Sequence, residues 1–467
     1  MILCKVVDNF GDIGVVYRLA RALSSLRPTL NLTLVVSNLE SFHKMAAQID
    51  PKKPVQTFRY KNSTWMVLDW NLDKEKVIRN KENGEIFLLQ DGTSSSLPSI
   101  TSNLSPLICR NLLPITPSLS LIMECFQCGR PDWLEEILFA PDFCRTVQIL
   151  QIDYLSAEDY AEEFHLLKSG TRKANIKKIF FMPGFTEKTG GLIINENGNL
   201  KTENSGVQVT PKTLGVTRFA GRALRGSVLP HSIAYGNGYA ATPIPNAESK
   251  TSSKSSHFSI FFFAYEDDCA AVVRAISDFQ AKIRERESDF SVIVYLADGK
   301  SSAPFEESWK KFNSPFKIEK IPFLQQEEFD EFLLKMDFLF VRGEDSLSRA
   351  ALFGLPFVWQ AYKQDENYQL VKVNALLEQM KPYFSEEEFK AVQDFWQSYN
   401  DYENTTKPEP LAQMLISAKN QKNTDGFKKF AKKLHENGNL AEHLLAFIDS
   451  LPLFSEERNS GTGLTGA

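Results

Sequence analysis

Strand-length apolar runs separated by helix-spaced segments recur in two long stretches of this chain, and that recurrence limits its possible folds more than any other feature. Residues 32–36, 65–68, 86–89, 119–126 and 147–152 form the first set, and 258–263, 290–296, 318–323, 338–341 and 356–359 the second. Runs that are apolar along their whole length suit strands covered on both faces, as in a parallel sheet flanked by helices. Between the later runs, residues 269–282, 327–335, 346–353 and 365–379 carry helical periodicity. The pattern predicts an α/β chain of two Rossmann-like domains, and 467 residues is ample for both.

The expected boundaries follow from where the alternation stops. Residues 1–180 are read as the first domain, with an irregular segment at about 71–117 that includes the loop-like run Asp91-Gly92-Thr93-Ser94-Ser95-Ser96. Residues 181–257 are read as a hinge and polar insertion, because 195–256 are rich in Gly, Ser, Thr and Asn without a sustained period. The second domain is expected over 258–440. Residues 441–467 should supply a helix that packs back on the first domain and then a loose tail, within a helical-looking region that starts near Phe427.

Composition excludes several classes of function. With 53 basic against 58 acidic residues the formal charge is −5, and the basic residues form no long stripe, so an extended nucleic-acid footprint is not expected. No apolar run has membrane length, and the start lacks a basic-then-apolar leader, so the expected address is the cytoplasm, without a membrane partner. Six cysteines are thinly spread and expected to be reduced; Cys125 and Cys128 have C-x-x-C spacing, but no second pair or nearby His completes a zinc site. The six histidines are scattered and suggest no catalytic base.

Chemistry is expected where polar residues stand at strand exits, since an open α/β sheet binds its ligands outside the carboxyl ends of its strands. The run Asp8-Asn9-Phe10-Gly11-Asp12-Ile13-Gly14 lies between an apolar start and a segment of helical spacing. Spacing leaves two readings of it: Asp12 caps a helix, or Asp8 and Asp12 are a working pair of carboxylates. Arg342-Gly343-Glu344-Asp345-Ser346 occupies the corresponding place in the second domain. There Asp345 or Ser346 can cap the helix, its first N–H groups can hold a diphosphate, Arg342 can pair with phosphate, and Glu344 can accept from a sugar hydroxyl. Phe263 and Tyr265 follow one strand and Phe323 and Gln325 another, so aromatic faces there can sandwich a nucleobase, although ordinary packing accounts for most single Phe residues. Neither a GxGxxG fingerprint nor a Walker A run is present.

Taken together, these runs resemble the protein-arginine rhamnosyltransferases that modify bacterial elongation factor P. The resemblance lies in Asp8 to Gly14, Tyr154-Leu155-Ser156-Ala157-Glu158-Asp159, Pro183-Gly184-Phe185-Thr186, Thr189-Gly190-Gly191-Leu192 and Arg342 to Ser346, in that order. It covers both domains and omits most of 71–117 and 195–256. It implies a GT-B fold whose first domain takes the acceptor and whose second binds TDP-β-L-rhamnose, with elongation factor P as acceptor. It also implies inversion by single displacement, without a cofactor or a catalytic metal.

Carried over by position, Asp12 is the general base, Asp8 a second essential carboxylate and Glu344 a residue supporting donor binding and catalysis. Tyr265, Gln325, Arg342, Asp345 and Ser346 become donor contacts, with Phe263 and Phe323 in the nucleotide pocket. The chemistry suits carboxylates: a guanidinium is protonated near neutrality and its delocalised nitrogens are poor nucleophiles, so a base must orient it and take a proton. Gln151-Ile152-Asp153 departs from the family pattern, and no acceptor contact is assigned to Asp153. Two alternatives stay open: a GT-B transferase with another nucleotide sugar or a small-molecule acceptor, and a nonenzymatic nucleotide-binding interaction protein.

Overall fold

The computed structural model describes residues 1–7, 10–80, 85–89, 112–116, 119–194, 257–420 and 425–451. Asp8, the run at 91–96, the polar segment 195–256 and the tail expected at 459–467 lie outside the described residues.

In the first half the strands are β1 (Ile2–Cys4), β2 (Leu32–Val36), β3 (Val55–Tyr60), β4 (Ser63–Asp69), β5 (Val77–Arg79), β6 (Ile86–Leu89), β7 (Leu112–Thr116), β8 (Leu121–Cys125), β9 (Val147–Ile152), β10 (Lys168–Ser169) and β11 (Ile176–Phe181). Eight of them make one sheet in the order β10-β11-β9-β8-β1-β2-β4-β3. Its interior is parallel, and antiparallel β10 and β3 close its edges. β2 and β9 are buried at every position, as expected of strands covered on both faces. The run at 86–89 does not join this sheet. As β6 it pairs antiparallel with β5 and β7 in a separate three-stranded sheet, with its own Ile86 and Leu89 buried and Phe87 and Leu88 half-buried. A short apolar run reports burial but not which neighbour supplies it.

The second half contains β12 (His257–Phe262), β13 (Ser291–Ala297), β14 (Lys317–Ile321), β15 (Phe338–Arg342) and β16 (Phe357–Gln360). They form a wholly parallel sheet in the order β14-β13-β12-β15-β16. Both sheets are doubly wound: the strands after the first build out one side of it, with β3 at the edge and β4 between it and β2 in the first sheet, and then the chain returns to continue on the other side. The switch points lie between β1 and β8 in one half and between β12 and β15 in the other. Those are the places where such sheets open a ligand crevice.

The region expected to be helical from Phe427 is two helices, Asp425–Glu436 and Leu440–Ser450. The first buries Phe427, Phe430 and Leu434 in the core of the second half. The second buries Leu440, Leu444 and Ile448 beside Ile13, Leu19 and Leu23 in the core of the first. The chain therefore recrosses at residues 437–439, and it does so beside its earlier crossing. Leu440 N–H donates to the Leu192 carbonyl at 2.8 Å, and the Asn439 side chain exchanges hydrogen bonds with both backbone groups of Ile194. Gly438 turns the corner with φ +95, where an added Cβ would lie 2.5 Å from Nε2 of His443. Gly438→Ala is expected to cost about 1–3 kcal/mol from backbone strain alone, read as a lower denaturant midpoint than that of the parent chain; an unchanged midpoint would contradict this account of the break.

Candidate active site

At the first switch point, the chain leaves β1, passes Val6 and Val7, and enters the helix Gly11–Leu26 with Phe10 as its N-cap. Asp12 lies in the first turn, where the dipole favours a carboxylate, and is 4% exposed. Its Oδ2 accepts from the Val7 N–H at 2.7 Å, which ties the helix back to the loop leaving the strand. Its Oδ1 accepts from the Tyr154 hydroxyl at 3.3 Å. Tyr154 follows β9 and stacks on Phe126, which follows β8, with ring centroids 4.6 Å apart. Burial, then the negative charges of Asp12 and Glu344, push the Tyr154 phenol well above its ordinary range, so it remains a donor.

At the second switch point β15 ends at Arg342, and Gly343 turns the chain into the helix Gly343–Phe353 with φ +65, a conformation suited to glycine. The Gly343 carbonyl accepts from the Trp359 indole N–H at 3.2 Å. The Arg342 guanidinium lies over the rings of Phe263 and Tyr265, 4.6 Å from each centroid. Tyr265 is itself held by its backbone N–H, which donates to Gln360 Oε1 at 2.6 Å. Neither Asp345 nor Ser346 is the N-cap, which is Arg342; both lie inside the first turn, and the Ser346 hydroxyl donates back to the Arg342 carbonyl. Phe323 and Gln325 stand past the end of β14. Phe323 is 52% exposed and meets Phe10 of the other half at 5.2 Å, while the exposed Gln325 is the N-cap of the helix Gln326–Leu333.

The two switch points meet through residues 154 and 155. Tyr154 reaches Asp12, and the N–H of the next residue, Leu155, donates to Glu344 Oε2 at 3.0 Å. Burial foremost raises the Glu344 carboxyl to about 8; the Leu155 hydrogen bond and the Lys372 charge oppose that rise, while Asp12 and Asp153 add to it. Asp153 is buried, accepting from Gln127 Nε2 at 2.9 Å and from the Tyr154 N–H at 2.8 Å. Behind these groups is a cavity of about 30 Å³, bordered by Asp153, Glu344, Asp345 and Arg349 together with Val16 and Leu192. Among the described residues, no three His, Cys, Asp or Glu side chains are grouped to hold a metal ion, and no helix is long and apolar enough to cross a membrane.

Comparison with known proteins bears on this arrangement. The model of the family described as Elongation-Factor P (EF-P) rhamnosyltransferase EarP matches residues 1–86 and 113–449, which takes in both switch points. The chain belongs to the EarP family. It is similar to the protein-arginine rhamnosyltransferase of Pseudomonas putida, at 26% identity over 85% of this chain and 86% of that protein. Its similarity to the protein-arginine rhamnosyltransferase of Neisseria meningitidis serogroup B is 24% over 96% of each. A solved structure described as the structural basis for EarP-mediated arginine glycosylation of translation elongation factor EF-P aligns with TM-score 0.47 and 17% identity, over 96% of this chain and 98% of that one.

Within this EarP-family chain, the residues singled out by sequence fall into groups. Arg342 contacts both Phe263 and Tyr265; Glu344, Asp345 and Ser346 share one helical turn; Phe323 and Gln325 lie past the exit of β14, at the edge of the same sheet. Asp12 faces them from the opposite half, whereas Asp8 lies outside the described residues. The Asp345 carboxylate is occupied by Arg18, whose Nε and Nη2 donate to it at 2.6 and 2.8 Å. Although burial opposes the charge, Arg18 draws the Asp345 carboxyl below the usual carboxylate range. Sequence reading assigned no role to Arg18 or Tyr154. Tyr154 had a usable signal, because it follows an apolar strand as the chosen residues do. Arg18 had a fainter one, a charge set among Val16, Tyr17, Leu19 and Ala20.

Proposed function

We propose that this chain transfers rhamnose from TDP-β-L-rhamnose to an arginine side chain of elongation factor P, inverting the anomeric carbon in a single displacement and using no metal. Membership of the EarP family supports the acceptor and the sugar. The observation that carries the chemistry is the link from Asp12 through Tyr154 and Leu155 to Glu344, which brings an acceptor-side and a donor-side carboxylate to one place.

In this reading a guanidinium nitrogen attacks the anomeric carbon as the bond from that carbon to the diphosphate oxygen breaks. Asp12 takes the proton released by the attacking nitrogen, and the substituted guanidinium remains a cation. Negative charge that grows on the departing diphosphate is met by Arg342 and by the N–H groups opening the helix Gly343–Phe353. The half-buried Glu344, its carboxyl raised to about 8 and so largely protonated near neutrality, can donate to a donor oxygen while Leu155 holds its other side.

Incubating the chain with elongation factor P and TDP-β-L-rhamnose should add one deoxyhexose to an arginine, located by peptide mass spectrometry. The linkage should be α by NMR, and the rate should persist after chelation with EDTA. An acceptor left unmodified would sink the reading; a β linkage would remove the inversion, and loss of rate on chelation the metal independence.

A further inference from the structure

The helix that begins beside Asp12 is fastened to the second half by one buried polar stripe. Gly14, Arg18 and Arg21, spaced i, i+4 and i+7, share a face of Gly11–Leu26. The Gly14 carbonyl accepts from Gln326 Nε2 at 2.7 Å; Arg21 donates to Gln326 Oε1 at 3.0 Å and pairs with Glu327. Arg18, 1% exposed, is the centre of the stripe. It grips Asp330 through Nη1 at 2.6 Å and Nη2 at 3.1 Å while holding Asp345 with Nε and Nη2. Its two partners belong to different elements. Asp330 lies on the helix capped by Gln325, and Asp345 lies between Glu344 and Ser346.

One guanidinium thus ties together the helices that follow β14 and β15 in the donor half and joins both to the helix of the candidate base, a little under two turns from Asp12. Two carboxylates sharing one planar fork need arginine: an ammonium is a point charge and cannot make parallel bonds to both. The contact is charged and hydrogen-bonded where an ordinary interior would be apolar. Such a contact contributes more to geometry than to net stability, because the desolvation of the ions offsets much of their attraction.

We propose that Arg18 is a positioning residue for the transfer reaction, fixing the separation of Asp12 from Glu344 by holding Asp345 and Asp330 together against the helix that carries Asp12. The inference rests on the transferase reading above. Arg18, 1% exposed, acts through its two carboxylate partners.

Arg18→Lys in the full chain tests it, because the charge is kept while the two-carboxylate fork is lost. Expected are a kcat lowered by about tenfold or more and a KM for elongation factor P within about twofold of the parent, with kcat normalised to folded protein, since misplaced reacting groups cost turnover before binding. A purely structural role would lower the melting midpoint and leave kcat per folded molecule unchanged, and that result overturns the proposal. Should the lysine variant fail to accumulate, Asp330→Asn keeps the Asp345 pair and should lose about threefold or more in kcat; a parental kcat there overturns it equally. Arg27→Ala is the control, since Arg27, just past the far end of Gly11–Leu26, pairs with Asp449 of the helix Leu440–Ser450 at 2.7 Å, and it should retain parental kcat. Failure of the parent chain to modify elongation factor P is a different result, and it falls on the transferase reading.

Discussion

Asp12→Asn is expected to lower the rate of arginine rhamnosylation by about two to four orders of magnitude, the usual range for loss of a general base. The side chain is nearly isosteric, and its two neighbours tolerate the change. The amide oxygen can still accept from the Val7 N–H, and the amide nitrogen can face the Tyr154 oxygen, which accepts as readily as it donates. What an amide cannot do is take a proton from the attacking nitrogen. Binding of TDP to the second half should be unchanged by calorimetry, and the unfolding midpoint should move little. Initial rates with elongation factor P decide the matter, and turnover within a few fold of the parent would remove Asp12 as the base.

Glu344 carries the second large effect, with a pH dependence of definite sign. At about 8 its carboxyl is roughly nine-tenths protonated at pH 7, and the form proposed to work is the neutral hydrogen-bond donor. As pH rises through about 8 the group ionises beside Asp12, Asp153 and any bound diphosphate, and activity should decline over that limb. Glu344→Ala should lose about a hundredfold or more in kcat/KM, because it removes the donor and leaves the Leu155 N–H without its carboxylate. Glu344→Gln, a permanently neutral donor of similar shape, should stay within about tenfold of the parent at pH 7 and lose the alkaline limb centred near 8. Rate–pH profiles of the three proteins measure this. A glutamine variant as inactive as the alanine variant, or a parent still rising through pH 9, would show that the ionised form is the active one.

Both effects depend on the same property of α/β folds: catalytic side chains sit on short loops aimed by rigid strands. β1 and β15 each end beside a switch point; β15 runs directly into its helix, residues 5–10 separate β1 from its own, and the first turn of each helix carries a carboxylate. Small changes in the packing of those helices are therefore transmitted directly to Asp12 and Glu344.

Much of this was legible along the chain. Strands at 32–36 and 147–152 have the expected bounds, and the second sheet differs from the expected runs by a few residues. Burial on both faces leaves a local record, an unbroken apolar run, and the polar turns after it mark the strand exits. The failures have equally local causes. The run at 86–89 looks like any buried strand, yet joins a small antiparallel sheet. Asp345 and Ser346 are typical capping residues, but Arg342 takes the cap because the positive φ of Gly343 starts the helix earlier.

The amino-acid sequence by itself determined the α/β class, the division into two doubly wound halves and the family, because these depend on periodicity and on motifs a few residues long. Only the tertiary structure decided which residues distant in sequence meet, both within the first half and across the two halves. Tyr154 finds Asp12 across 142 positions, Leu155 finds Glu344 across 189, and Arg18 finds Asp330 and Asp345 across 312 and 327. Contacts at such separations leave no periodic trace. Those between the halves arise when two independently patterned sheets dock, and the buried charges of that docking are satisfied by whichever partners the fold brings within hydrogen-bond reach.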